Sequence, residues 1–165
     1  MGIIFNIDEI FEIAVQIEKN GAIFYNNAAK KATDKVIREE LISLADMEID
    51  HERTFLALKK QVCENKQAIT TYDPYDEGIL YLKAFTSGYV FDLNVDPLEM
   101  LSRLESMEEI FKAAIKLEKD SIVFYLGIKK LVPADLGKDK IEHIIAQEMD
   151  HISMLSTQLD MVRGM

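Results

Sequence analysis

EIFEIAVQIEKNGAIFY begins at Glu9, and EIFKAAIKLEKDSIVFY begins at Glu109. The offset is 100 residues without a gap, and EIF, EK and FY recur in place. The same offset carries Glu48, Asp50 and His51 onto Glu148, Asp150 and His151. A chain of 165 residues that repeats itself in this way is two copies of one helical hairpin. Each copy has a face it cannot bury alone, so the halves must cover each other.

The helices are read from the apolar period. The first runs from about Asp8 to Lys31, with Asp8 as its expected N-cap and Phe11, Ala14, Glu18, Gly21, Tyr25 and Ala28 on its seam. The second spans about Asp34 to Glu64, through Leu41, Leu44, Phe55, Leu58 and Val62. Continuing that stripe through its gap lands on Glu48 and His51, where hydrophobes should stand. A third covers about Met107 to Leu131, with Phe111, Ala114, Glu118, Ser121, Tyr125 and Ile128 on its seam, and Pro133 enforces a break. The fourth runs from about Lys138 to Arg163 through Ile141, Ile144, Glu148, His151, Leu155 and Val162. Between the hairpins, Asp73-Pro74 and Asp96-Pro97 read as helix starts, an Asp cap followed by Pro at the first helical position. GILYLKAFTSGYVF is apolar enough to need cover from the bundle or a second subunit. The expected architecture is a single all-α domain over 1–165. It is a four-helix bundle of two duplicated hairpins, 8–65 and 107–163, joined by a long crossover at 66–106 with one or two short helices.

Composition narrows the function classes. A net charge of −10 argues against nucleic acid, which demands a basic surface. The lone Cys63 excludes an intrachain disulfide and any cage of several thiolates, and it reads as a small hydrophobe. MGIIFNIDEIF lacks the basic n-region of a signal peptide, and no apolar run approaches the ~20 residues of a membrane span. A cytoplasmic protein with no membrane partner is expected.

Each hairpin offers a Glu from its first helix and Glu-x-x-His from its second. Spacing of three puts Glu and His on one helix face. Glu18 and Glu48 each lie roughly 15 residues, about 23 Å, from their hairpin turn, and Glu118 and Glu148 lie at similar depth in theirs. Packing the hairpins together therefore gathers all six side chains mid-bundle. Four buried carboxylates are very costly without counter-charge, and their mutual repulsion would drive several to protonate. Two divalent cations resolve both problems, with imidazole supplying neutral nitrogen. Such a mixed oxygen and nitrogen set is the di-iron or di-manganese pattern of ferritin-like bundles, although zinc or copper would compete on affinity. A metal-free polar network is the bland alternative, but it needs donors the seams do not supply. Asp50, Asp150 and Glu52 fall off the seams, and His143 lies outside the ligand pattern, so all four are expected at the surface.

IEKNGAIFY, MEIDHE, LEKDSIVFY and QEMDH together resemble the rubrerythrin-related, ferritin-like di-iron carboxylate family over about residues 8–65 and 107–163. The resemblance implies two iron ions, with manganese an alternative and zinc able to occupy the site in vitro. Glu48 and Glu148 would bridge them, Glu18 and Glu118 would cap the ends, and His51 and His151 would each ligate one. It also implies that Tyr25 and Tyr125 hydrogen-bond to the carboxylates, although the residues alone leave both open as core aromatics. Rubrerythrins proper carry a further Glu where Ser121 stands, and a rubredoxin domain that the single cysteine cannot build. The shorter relatives of rubrerythrin, without that domain, are therefore the better match. The expected activity is an oxidoreductase reducing peroxide or dioxygen, with a separate electron-donor protein such as a rubredoxin, in a homodimer. Iron oxidation for storage or transfer, manganese catalase chemistry and a non-catalytic metal-stabilised bundle are the rival readings.

Overall fold

The structure, a computed structural model, describes residues 6–86 and 94–164. Helix α1 spans Ile7–Lys31 and α2 spans Lys35–Cys63. Among the described residues three short crossover helices follow, where one or two were expected: α3 (Lys66–Tyr72), α4 (Glu77–Thr86) and α5 (Pro97–Ser102). Helix α6 (Met107–Leu131), a 3-10 turn (Ala134–Leu136) and α7 (Lys138–Val162) form the second hairpin. The described residues contain no strand, and no helix among them is long and apolar enough to cross a membrane.

Local chemistry fixes the helix ends. Asn6, not Asp8, caps α1: its Oδ1 accepts from the Glu9 amide at 3.0 Å while Glu9 Oε2 accepts from the Asn6 amide at 3.2 Å. Asn6 has a glutamate three residues on to complete this reciprocal box, whereas Asp8 has Phe11 there. Asp8 sits inside the first turn instead, where it pairs with Lys66 and accepts the Cys63 thiol proton. Cys63 is thus half-buried and hydrogen-bonded rather than purely apolar. Asp34 caps α2. Asp96 caps α5 with Pro97 inside it, as the sequence predicts. Asp73-Pro74 does not open a helix directly. The chain turns through residues 73–76, and the Asp73 carboxylate caps α4 from a distance, accepting from the Glu77 and Gly78 amides. Gly137 enters α7 at φ 101°, and any Cβ there would strike Leu58. Only glycine satisfies both conditions.

The hairpins pack head to tail, α1 against α6 and α2 against α7. The core consequently falls into two apolar clusters. One joins the start of α1, the end of α2, the second half of α6 and the start of α7, from Phe11 and Phe55 to Ile128 and Ile144. The other joins the opposite ends, including Phe24, Leu41, Phe111 and Leu155. Each fully buried side chain of this size contributes about 1.5–3 kcal/mol. These clusters hold the bundle together, and the six polar residues lie in the layer between them. Val162, expected on the α7 seam, is 39% exposed because the helix outruns the cluster that ends at Leu159. Helix α4 packs on α6, and α5 packs on α1. The bundle thus covers one side of the apolar GILYLKAF segment, burying Leu82 and Phe85 and leaving Leu80 and Tyr81 exposed. The remainder of that segment, 87–91, lies outside the described residues.

Candidate metal centre

All six predicted side chains meet in that layer. Glu18 and Glu148 are fully buried, and Glu48, His51, Glu118 and His151 are each under 5% exposed. Two quartets form, each with ligand atoms within 4.8 Å of one another: Glu18, Glu48, His51 and Glu148, and Glu48, Glu118, Glu148 and His151. Glu48 and Glu148 belong to both. The imidazoles stand 5.8 Å apart at 21°, each turning Nδ1 toward the carboxylates. His51 Nδ1 lies 3.0 Å from Glu148 Oε1 and 3.4 Å from Glu18 Oε2. His151 Nδ1 lies 3.0 Å from Glu148 Oε2, 3.3 Å from Glu48 Oε1 and 3.4 Å from Glu118 Oε1.

The tyrosines cross between hairpins. Tyr25 donates to Glu118 Oε1, and Tyr125 donates to Glu18 Oε1. The resemblance implies tyrosine hydrogen bonds to the carboxylates without naming the glutamate each serves. The head-to-tail packing hands each tyrosine to the glutamate of the other half. Burial, reinforced by those carboxylates, raises both phenols well above their ordinary pKa, so they remain donors.

Electrostatics in this layer are severe. Burial first, then the charges of neighbouring glutamates, pushes Glu18 and Glu118 well above the carboxylate range. Burial acts on Glu148 in the same direction, but the imidazoles on its two oxygens outweigh it and hold that carboxyl low. Burial alone would depress the histidines. Their contacts with Glu148 and Glu18, and with Glu118, Glu148 and Glu48, instead lift His51 to about 11 and His151 to about 12. Without a cation, protons must therefore neutralise the layer.

That arrangement leaves polar atoms stranded. Glu18 Oε2, Glu48 Oε1, both Glu148 oxygens and both Nδ1 atoms are buried without an aligned hydrogen bond among the described residues. Their short separations satisfy distance but not direction. All of them belong to the two quartets, whose oxygens and nitrogens are the donors a divalent cation takes. The residues fit a pair of such cations sharing two carboxylates.

Sequence reasoning missed two features of the surroundings. Gln147, a member of neither quartet, places its Oε1 3.0 Å from His51 Nε2. Gly21 leaves the space that Glu48 fills, since a Cβ there would stand 2.7 Å from Glu48 Oε2. The clue to both was in the repeat itself, at places where the copies differ: Met47 against Gln147, and Gly21 against Ser121. Ser121 Oγ donates to the Leu117 carbonyl at 2.9 Å and supplies nothing to the quartets. Gly21 and Ser121 line a cavity of about 60 Å³ that reaches Glu48 and Glu118 between α1, α6 and the crossover. His143, Asp50 and Asp150 are exposed, as expected, while Glu52 is half-buried beside Lys19.

Fold and site together define an all-α, ferritin-like four-helix bundle with a buried carboxylate and histidine layer. The chain is similar to a solved structure from Thermotoga maritima assigned as a ferritin-like diiron-carboxylate protein, at 26% identity and a TM-score of 0.68 over 92% of this chain and 93% of that one. No protein-family profile matches the chain, and no curated protein matches it in sequence.

Proposed function

We propose that this chain is a di-iron protein, an oxidoreductase of rubrerythrin-like type that reduces peroxide or dioxygen. The observation that carries the reading is the pair of quartets sharing Glu48 and Glu148, built from six buried side chains with stranded donor atoms. The Thermotoga maritima likeness supports iron over other metals. In this reading Glu18 and His51 would hold one ion, Glu118 and His151 would hold the other, and Glu48 and Glu148 would be shared between them. When bound, two ferrous ions supply one electron each to the two-electron reduction of the oxidant.

The chain's own residues set the conditions for that chemistry. Tyr25 and Tyr125 fix the outer carboxyl groups by hydrogen bonds, which would become charge-assisted once a bound cation ionised those groups. The cavity at Gly21 and Ser121 is small and mostly apolar, lined by Ile17, Met100 and Leu117. It admits a molecule of two oxygen atoms to Glu48 and Glu118 and disfavours bulk water. The single cysteine cannot hold a rubredoxin-type iron, so in this reading electrons arrive from outside these 165 residues, and the proposed source is an electron-donor protein such as a rubredoxin. A homodimer burying the exposed Leu80 and Tyr81 on α4 belongs to the same proposal.

The test begins with metal-free protein loaded anaerobically with ferrous iron. About two ions per chain are expected by elemental analysis, and none in a protein carrying Glu48→Leu and Glu148→Leu together. Rapid mixing with peroxide, and separately with dioxygen, should oxidise bound iron faster than free ferrous ion. If neither oxidant does so, the oxidoreductase reading is lost.

A further inference from the structure

The two halves of the centre are related by the repeat but are not equivalent. A cation at either histidine takes the lone pair of Nδ1, the nitrogen that faces the carboxylates. The ring's remaining proton must then sit on Nε2, pointing outward and needing an acceptor. His51 has one, because Gln147 Oε1 lies 3.0 Å from its Nε2. Gln147 immediately precedes the bridging Glu148, so one turn of α7 both supplies a carboxylate and steadies the opposite histidine. His151 has no such support. Its Nε2 is buried without a hydrogen-bond partner among the described residues, and the position equivalent to Gln147 is Met47. A thioether is at best a weak acceptor. Glu48 repeats the asymmetry: among the described residues its carboxylate makes an ion-pair contact, at 3.3 Å, with His151 alone, whereas Glu148 reaches both rings at 3.0 Å.

We propose that Gln147 is a positioning residue that makes the His51 position the tighter of the two, so that the centre fills in order. This rests on the metal reading above. Outer hydrogen bonds to a ligating imidazole fix its tautomer and orientation, and losing one typically weakens metal affinity by about 10–100-fold. The His51 position begins with that advantage and the His151 position lacks it.

Cobalt(II) is a suitable probe, titrated anaerobically into metal-free protein and followed by its visible absorption. The wild type takes up two ions in two steps separated by about tenfold or more in affinity. Gln147→Met weakens the first step and brings the two together. Met47→Gln, made separately, tightens the second. In zinc-loaded, nitrogen-15-labelled protein, the His51 Nε2 proton exchanges slowly with water. That signature disappears in Gln147→Met, which an effect on folding alone would not single out. Two ions bound in one indistinguishable step overturn the inference while leaving the metal centre intact. So does a folded Gln147→Met protein whose steps are unchanged or equally weakened. A wild type that binds no cobalt overturns the metal reading and this inference with it.

Discussion

Gly21→Ala is the sharpest probe of how the centre is accommodated, because it sets two effects of opposite sign against each other. The new Cβ would stand 2.7 Å from Glu48 Oε2, 3.2 Å from its Cδ and 3.3 Å from its Cγ. Ordinary packing begins near ~3.5 Å, so the carboxylate must retreat by about 0.8 Å, and as the end of a flexible side chain it can. Alanine also favours mid-helix over glycine by about 1 kcal/mol, worth roughly 2–4 °C in Tm for a chain this size. The metal-free variant should therefore melt no lower than wild type, and up to that much higher. Metal binding should move the other way. Displacing a shared carboxylate by this distance should cost about 10–100-fold in affinity, or roughly 1.4–2.7 kcal/mol. Calorimetric titration of metal-free protein with zinc, paired with thermal melts, separates the two effects. Ser121→Ala is the control, since Ser121 already carries a Cβ and spends its hydroxyl on Leu117. A Gly21→Ala protein that loads two ions at wild-type affinity would refute the argument that Glu48 is held over Gly21 in order to be shared.

Other consequences can be measured directly. Tyr125→Phe removes the donor on buried Glu18, and should cost about 1–3 kcal/mol in urea unfolding of the metal-free protein; Tyr25→Phe should do the same through Glu118. Loading the centre at neutral pH should release protons into weakly buffered indicator solution, because His51 and His151, held up to about 11 and 12, must surrender theirs. Affinity should therefore climb as pH rises from 6 to 8, by roughly tenfold per unit for each proton displaced. Burial, then the Asp8 carboxylate, pushes the Cys63 thiol up to about 11. Iodoacetamide at pH 8 should modify it about 100-fold more slowly than an ordinary thiol, with the rate climbing at higher pH and recovering partly in Asp8→Asn.

Much of this molecule is legible in its sequence because helices record burial with a regular period. Glu18, Glu48, His51 and their counterparts were found as violations of an apolar stripe, and repetition made the violations credible. What the sequence withholds is orientation between hairpins. The positions of Tyr25 and Tyr125 on one face of their helices were readable. That each would end on the other half's glutamate depends on head-to-tail packing, which no local pattern encodes. Asn6 was missed for a smaller reason, since two candidate caps stood two residues apart and only a glutamate at the right distance decided between them. Gln147 is not legible from what the copies share, because its counterpart in the other copy is Met47 and its partner, His51, lies on the other hairpin.

The crossed tyrosines carry one more implication. When a residue of one half reaches a residue of the other and the favour is returned at the mirrored positions, the contact is of the kind a two-fold axis makes between identical subunits. A chain half as long, a single hairpin pairing with its twin, would present the same glutamates, imidazoles and phenols. Joining the twins through residues 66–106 frees each side to change by itself, a liberty that identical subunits never have. Met47 standing where the other copy has Gln147, and Gly21 where it has Ser121, are what such liberty leaves behind.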